Sequence, residues 1–209
     1  MHKSFSLFIL VFIVQNFACK SDKSADPGKV EPVVEASVGT VSADTINYIM
    51  GHFEPSQDDR FTVIDIKYAD REGLYMRKEA YASFINMYEA ALENGIKLVI
   101  RSAARNFDYQ KGIWERKWTG ETILSNGINA ATDIEDHNQR ALEILKYSSM
   151  PGTSRHHWGT DIDFNSFDNS WFDSGQGLVL FNWLEENAGK FGYCRPYTKK
   201  GPVRPVGYN

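Results

Sequence analysis

The chain has 209 residues, of which 42% are hydrophobic and 13% aromatic, enough material for one compact domain of ordinary size. Its formal net charge is -4, and no run rich in lysine and arginine is present to follow a nucleic acid backbone. We therefore expect a single folded domain and no nucleic acid partner.

The first residues have the pattern of a secretory signal. A positive start precedes a ten-residue apolar run over 5–14, which is too short for a membrane-spanning helix. Ala18 and Cys19 then resemble a bacterial lipobox, in which Cys19 is acylated and becomes the mature N-terminus. Asn16 departs from that pattern, and ordinary cleavage near Ala18 is the alternative. We expect a signal peptide over 1–18 and an exported lipoprotein, held at the periplasmic face of a bacterial membrane or at the cell surface.

The remaining sequence divides into a linker and a domain. Residues 19–40 are rich in Ser, Lys, Asp, Pro and Val without periodicity, which predicts a flexible tether, and the folded domain is expected over 41–209. Hydrophobic patterns predict an α+β fold, with a small antiparallel sheet flanked by helices. The predicted helices cover 43–52, 77–94, 107–118, 138–147 and 178–190, and the predicted strands cover 61–66, 96–100, 160–164 and 191–196. The core stripe predicted on the second helix is Ala80, Tyr81, Phe84, Tyr88, Ala91 and Leu92.

The cysteines exclude a disulfide framework. If Cys19 carries a lipid, Cys194 is the only remaining thiol, so no intramolecular disulfide can form. Cys194 lies in the last predicted strand, where we expect a small buried hydrophobe rather than a nucleophile.

The passage 154–163 brings two imidazoles, two carboxylates and a glycine together within ten residues. Imidazole nitrogen and carboxylate oxygen are ligands that zinc accepts, and a catalytic zinc takes three protein ligands and leaves a position for water. In a straight strand His156 and Asp163 would lie about 23 Å apart, so the backbone must fold back for both to reach one ion. Gly159 is placed to allow that bend.

Two questions about this passage stay open on geometry alone. Asp161 and Asp163 share one face of the strand predicted over 160–164, so either aspartate could reach a metal. The alternative to a metal site is that His157 and Trp158 are packing residues and the aspartates cap turns or face solvent. We favour metal binding, because acids and histidines rarely crowd a strand with no partner to neutralise them.

Three passages together resemble one known family. The pattern S-x-H-x-x-G-x-x-x-D over 154–163 is similar to the zinc signature of the D-alanyl-D-alanine carboxypeptidases and dipeptidases of bacterial cell walls. This zinc-peptidase family also includes endopeptidases and the hedgehog signalling domain. The pattern S-x-x-R-x-x-x-x-Q over 102–110 resembles the family's substrate-binding passage, and 178–193 resembles the segment before its last motif. The resemblance spans roughly 48–209, with Asp161 in place of the family's usual alanine.

The resemblance implies roles for individual residues. It implies that His156 and Asp163 ligate zinc. It also implies that Arg105 is a catalytic residue that binds the substrate's peptide carbonyl or terminal carboxylate, and that Gln110 and Ser154 assist in substrate binding. An arginine suits this role because it presents a fixed cationic fork to an oxyanion or a carboxylate.

The family's third zinc ligand and its general base come from a Glu-x-x-His motif near the C-terminus. This chain has no such motif, and 207–209 resembles the residues a few positions before it, so we expect the chain to end just short of the base. The resemblance implies a zinc-dependent carboxypeptidase that removes terminal D-alanine from peptidoglycan stem peptides by metal-activated water. Without the base, the site should bind zinc weakly and hydrolyse little. The alternatives are an endopeptidase of the same family and a non-catalytic cell-wall-binding lipoprotein.

Overall fold

The computed structural model describes residues 41–196. The expected signal peptide over 1–18, the expected lipidation site Cys19, the expected tether over 19–40 and the segment 207–209 lie outside the described residues. Within 41–196, no helix combines the length and the apolar character needed to cross a membrane.

Helices and short antiparallel strands alternate along the described part of the chain. The helices are α1 (Ala43–Met50), α2 (Lys78–Glu93), α3 (Phe107–Trp118), α4 (Ala130–Asp133), α5 (His137–Leu145) and α6 (Gly175–Asn187). The strands are β1 (Phe61–Val63), β2 (Tyr75–Arg77), β3 (Ile100–Ser102) and β4 (Asp163–Phe164). Strand β1 pairs with β2 and β3 pairs with β4, both antiparallel, in two separate two-stranded sheets. The predicted α+β class is confirmed, although the single predicted sheet is divided into two.

Helix α2 supplies the centre of the main core. Phe84, Met87, Tyr88 and Ala91 are buried at the spacing i, i+3, i+4 and i+7, which places them on one helix face. Leu92 was predicted to lie on this face, but it is 47% exposed. The prediction for Leu92 was wrong because this residue lies about 40° beyond Tyr88, at the edge of the buried stripe, in the last turn of the helix.

The pairing of β3 with β4 fixes the position of Asp163 over this core. Ile100 lies opposite Phe164, and Ser102 lies opposite Asp163, with an irregularity in register between the two pairs. Ile100 is fully buried, and the ring of Phe164 stacks on Phe84 with 5.9 Å between centroids. Asp163 is therefore attached to the rigid part of the fold.

Three predicted strands are shorter in the structure than in the prediction. The strand predicted over 61–66 ends at Val63, and the strand predicted over 160–164 contains only the two residues of β4. Residues 96–99, where a strand was predicted, are not in a strand. The side chain of Asn165 bonds to the Val99 N–H and the Lys97 oxygen, which a longer strand ladder would use.

The strand predicted over 191–196 is absent, and this prediction was wrong. A 3-10 turn over Ala188–Phe191 continues α6 and ends at Gly192, whose φ of 78° reverses the backbone. The Tyr193 hydroxyl donates to the backbone oxygen of Ala80 at 2.6 Å and ties this segment to α2. Cys194, which we expected to be buried, is exposed because no strand carries it into the core.

Candidate functional site

A tight bend brings His156 back toward Asp163. Arg155–Trp158 forms a 3-10 turn that ends at Gly159 in the left-handed conformation, with φ of 72°. A Cβ atom at Gly159 would lie 2.3 Å from Cε1 of Phe61, so both the backbone and the available space require glycine. The result is that Nε2 of His156 lies 3.4 Å from Oδ2 of Asp163. The predicted bend at Gly159 is confirmed.

The separation of these two side chains suits two ligands of one metal ion. Ligand atoms at tetrahedral positions around a zinc ion lie about 3.3–3.6 Å from each other, given zinc–ligand bonds of about 2.0–2.2 Å. The measured Nε2–Oδ2 distance of 3.4 Å matches that value. The donor set also fits, because one neutral imidazole and one carboxylate are ordinary zinc ligands.

The hydrogen bond on the far side of the His156 ring determines which nitrogen faces Asp163. Nδ1 lies 2.8 Å from the backbone oxygen of Ala103. A carbonyl oxygen can only accept, so Nδ1 carries the hydrogen and Nε2 presents its lone pair toward Asp163. Metal-binding histidines commonly make this kind of outer hydrogen bond, which fixes the tautomer and the ring orientation.

Burial and charge keep His156 neutral. Burial, and to a smaller extent the nearby Arg105 guanidinium, lower the pKa of His156 to about 3. Burial also raises the pKa of the Asp163 carboxyl, whereas Arg105 and a hydrogen bond from Ser102 act in the opposite direction. The Asp163 side chain keeps 40% of its surface exposed, so an incoming ion can reach it.

The adjacent histidine, His157, has a structural role. Its Nδ1 donates to the backbone oxygen of Arg105 at 2.7 Å, and its Nε2 accepts from the Gly152 N–H at 3.0 Å. Both ring nitrogens are therefore occupied in a fully buried side chain. The packing interpretation holds for His157 but not for Trp158, which is partly exposed.

The second aspartate, Asp161, is engaged by an arginine. Arg155 donates to Asp161 from Nε at 2.7 Å and from Nη2 at 2.9 Å, in a bidentate pair. Asp163 is the aspartate directed at His156, and its role as a metal ligand stays a prediction.

Arg105 lies beside the pair and is held by the same bend. Its backbone N–H donates to the backbone oxygen of His156 at 3.1 Å, and its own oxygen accepts from His157. Its Nε is buried and has no hydrogen-bond partner within 41–196. Burial lowers the pKa of Arg105, an effect that Asp163 opposes, and a guanidinium keeps its charge at neutral pH. A buried cation with an unused donor is suited to bind an anionic group.

Gln110 and Ser154 are the two remaining predicted site residues, and both are buried. Gln110, 1% exposed on α3, donates from Nε2 to the backbone oxygen of Ser149 at 2.6 Å. Its Oε1 has no partner among the described residues. Ser154, 3% exposed, caps the 3-10 turn by accepting from the His156 N–H at 3.3 Å. Ser154 therefore supports the bend that carries His156, whereas Gln110 ties α3 to residue 149. Direct contact with a substrate stays a prediction for each.

Asn165 is a site residue that the sequence analysis missed. Its φ is 52°, its Oδ1 accepts from the Val99 N–H at 3.0 Å, and its Nδ2 donates to the Lys97 oxygen at 2.9 Å. These bonds hold the end of β4 two residues after Asp163. An available signal was an asparagine, which tolerates positive φ, directly after a short strand.

A recess opens next to Arg105, with a volume of about 130 Å³. Its wall is formed by Glu54, Pro55, Arg71, Gly73, Leu74, Tyr75, Ser102, Ala103, Ala104, Arg105, Asn106 and Tyr109. Ser102 and Arg105 connect the recess to the His156–Asp163 pair, since both act on Asp163.

A third ligand is not present in the part of the chain that the structure describes. Residues 41–196 contain no group of three or more His, Cys, Asp or Glu side chains placed to hold a metal ion. Among the described residues, the pair His156 and Asp163 could supply at most two of the three protein ligands that a catalytic zinc takes.

Sequence comparison identifies relatives among bacterial carboxypeptidases. The profile of the VanY family, described as D-alanyl-D-alanine carboxypeptidase, matches residues 73–208. The putative carboxypeptidase YodJ of Bacillus subtilis (strain 168) is 28% identical over 155 residues, which are 71% of this chain and 49% of that protein. A D-alanyl-D-alanine carboxypeptidase of Enterococcus faecalis is 26% identical over 112 residues, 54% of this chain and 37% of that protein. The chain thus spans half or less of the length of these two relatives.

Solved structures share the fold. An LD-carboxypeptidase, LdcB, described in relation to peptidoglycan recognition, superposes with a TM-score of 0.54 at 23% identity, over 76% of this chain and 67% of that chain. VanYB in complex with D-alanine-D-alanine superposes with a TM-score of 0.51 at 22% identity, over 69% of this chain and 70% of that chain. A variant of the vancomycin resistance D,D-pentapeptidase VanY in complex with Zn(II) superposes with a TM-score of 0.52 at 22% identity, over 74% of this chain and 77% of that chain. These similarities establish a common fold.

Proposed function

This chain belongs to the VanY family of D-alanyl-D-alanine carboxypeptidases, and we propose that it is a zinc peptidase that removes terminal D-alanine from peptidoglycan stem peptides. One observation carries the proposal: His156 and Asp163 approach to 3.4 Å beside Arg105, whose buried Nε lacks a partner within 41–196. The arrangement combines two ligands for a metal with a cation for the substrate.

His156 and Asp163 would hold the zinc ion. The backbone oxygen of Ala103 keeps the hydrogen of His156 on Nδ1, which leaves Nε2 for the ion. The Ser102 hydroxyl favours the charged form of Asp163, which a metal ligand requires. When bound, zinc supplies the Lewis acidity that activates water and polarises a carbonyl group.

Arg105 would bind and orient the peptide. Its guanidinium lies on the wall of the recess, so it can donate to the carbonyl oxygen of the scissile bond or to a carboxylate beside it. Its charge acts strongly because the group is largely removed from water, and negative charge that develops on the carbonyl oxygen is stabilised there. The bend over 154–163 holds Arg105 through both its N–H and its backbone oxygen, so the guanidinium is oriented before the substrate arrives.

The relatives support the choice of metal and substrate. One is a D-alanyl-D-alanine carboxypeptidase, one solved structure holds D-alanine-D-alanine, and another holds Zn(II). Such an enzyme would act where peptidoglycan is found, and the pattern of residues 1–19 supports export and attachment to a membrane through a lipid on Cys19.

Release of D-alanine from a peptide ending in D-alanyl-D-alanine tests the proposal. We expect slow release by the zinc-loaded protein, because residues 41–196 contain no group of three metal ligands. We also expect loss of release with a chelator and recovery when zinc is returned. A peptide amidated at its C-terminus and an interior cross-linked peptide serve as comparison substrates. Cleavage of the interior bond alone would show an endopeptidase, and peptide binding without turnover would show a non-catalytic binding protein.

A further inference from the structure

A second arginine, Arg71, lines the recess together with Arg105. Burial is the main cause that lowers the pKa of Arg105, and the charge of Arg71 on the same recess wall lowers it slightly more. Two cations that repel each other across a recess of about 130 Å³ destabilise the empty site, and an anion between them removes the repulsion.

The charge of Arg71 is poorly matched inside the described protein. Its Nη1 lies 3.3 Å from Oδ1 of the adjacent Asp70, and this is its one hydrogen bond within 41–196. The other oxygen of Asp70 lies 2.5 Å from Nε of Arg101. Asp70 therefore serves two guanidinium groups, and Arg71 retains most of its five N–H donors. Because its side chain is 42% exposed, these donors are accessible from the recess.

The recess has a net positive charge. Its charged lining residues are Arg71, Arg105 and Glu54. The Glu54 carboxylate accepts from Nδ2 of Asn106 at 3.1 Å and from the Ser56 hydroxyl at 3.2 Å, so it is held by its own neighbours. An anionic group of a ligand would meet two arginines here and one carboxylate that is already hydrogen-bonded.

We propose that Arg71 is a specificity-determining residue that binds a carboxylate of the peptide, while Arg105 binds the reacting carbonyl group. The inference rests on the proposed function, because it assigns a second contact to the same substrate. A carboxylate suits the site since the planar guanidinium can donate to both of its oxygens at once. Two groups of a peptide have this chemistry: the free C-terminal carboxylate of the leaving residue and the side-chain carboxylate of an acidic residue.

Kinetics of Arg71→Ala on three matched peptides separate these two sources. The first peptide contains a glutamate and ends in free D-alanyl-D-alanine, the second has a C-terminal amide, and the third has glutamine in place of glutamate. On the first peptide we expect KM to rise about 10- to 100-fold with kcat within about 3-fold of wild type. On one of the two modified peptides, wild type and variant should have the same KM. That peptide lacks the carboxylate that Arg71 binds.

Two further variants serve as controls. Arg71→Lys keeps the positive charge but lacks the planar guanidinium. It should therefore recover part of the affinity for the first peptide that Arg71→Ala loses. Arg116→Ala removes an exposed arginine of α3 outside the recess and should keep the wild-type KM. An unchanged KM for Arg71→Ala on all three peptides would overturn the inference. A lower melting temperature together with the same fall in kcat on every peptide would also overturn it. That result would show that Arg71 stabilises the fold through its contact with Asp70.

The outcome for Arg71 is distinguishable from the outcome for the proposed function. If the wild-type protein releases no D-alanine, the proposed function fails, and calorimetric binding of the same uncleaved peptides tests Arg71 directly. The carboxylate site is supported if wild type binds the first peptide more tightly than Arg71→Ala does, and if this difference in affinity disappears on one of the two modified peptides. Equal binding by both proteins would contradict it.

Discussion

At the scale of single residues, the placement of hydrogens and charges distinguishes ligands from their neighbours. His156 and His157 are adjacent, but only His156 leaves a ring nitrogen available, because His157 uses both. Asp161 and Asp163 are two residues apart, but Asp161 is engaged by Arg155. The selection of one histidine and one aspartate therefore follows from hydrogen bonds rather than from residue type.

Arg105→Ala should reduce catalysis far more than stability. Removal of a preorganised cation from the transition state costs about 100- to 1000-fold in kcat/KM. The melting temperature should change little, because a buried cation whose Nε lacks a partner within 41–196 contributes little to folding. Steady-state kinetics and thermal unfolding, with Arg105→Lys as the charge-conserving control, measure both effects. A large fall in melting temperature would show that Arg105 is structural.

The metal-free protein should lose stability as the pH falls below about 6.5, the ordinary pKa of histidine. Burial lowers the pKa of His156 to about 3 and also lowers the pKa of His157, so the folded state takes up fewer protons on these two rings than the unfolded chain does. Since the unfolded state then binds more protons, the free energy of unfolding decreases with acidification. Thermal melting between about pH 8 and about pH 5 measures this loss.

Two histidine variants provide the comparison for this acid effect. His156→Gln should show a smaller fall in melting temperature on acidification, because one of the two neutral imidazoles is gone. His137→Gln, at the start of α5, should behave as wild type. A melting temperature that does not depend on pH in the wild-type protein would contradict the buried neutral histidines.

At the scale of elements, β4 contains only two residues and depends on Asn165 for support. The side chain of Asn165 bonds to Val99 and Lys97 across the gap where a longer strand would form its ladder. Asp163 lies two residues earlier, so its orientation toward His156 depends on this support.

Asn165→Gly should weaken zinc binding up to about 10-fold while the protein remains folded, because the two lost hydrogen bonds, each worth about 1 kcal/mol, position the strand that carries Asp163. Glycine accepts the φ of 52° at this position, so the variant removes the side-chain hydrogen bonds without adding backbone strain. Zinc titration and circular dichroism measure the two properties. If the folded Asn165→Gly protein binds zinc with wild-type affinity, Asn165 does not support the zinc site.

The accuracy of sequence prediction depended on whether a feature is local. The spacing from His156 to Asp163 predicted the bend at Gly159, because a ligand pair seven residues apart requires a reversal of the chain. Asn165 and Arg71 were missed, because their contacts join segments that are distant in sequence or depend on the shape of the recess. The last predicted strand was wrong because an apolar run around Gly192 has the composition of a strand, whereas the positive φ of this glycine ends a helix.

At the scale of the whole molecule, family and fold agree. The VanY profile matches residues 73–208, and the mixture of helices and small antiparallel sheets is shared with solved structures of that family. The family predicted from three short motifs is confirmed. The core around α2 holds β3 and β4 in place, and the cationic recess opens beside the end of β3.

The central claim is that His156 and Asp163 bind zinc, and zinc titration of three proteins tests it most directly. Asp163→Ala should lose zinc binding, whereas Asp161→Ala, the matched control two residues away, should retain most of the wild-type affinity because its partner is Arg155. Calorimetry on the metal-free proteins measures all three affinities. Equal zinc affinity in wild type and Asp163→Ala, or loss of zinc in Asp161→Ala alone, would contradict the assignment of the metal ligands.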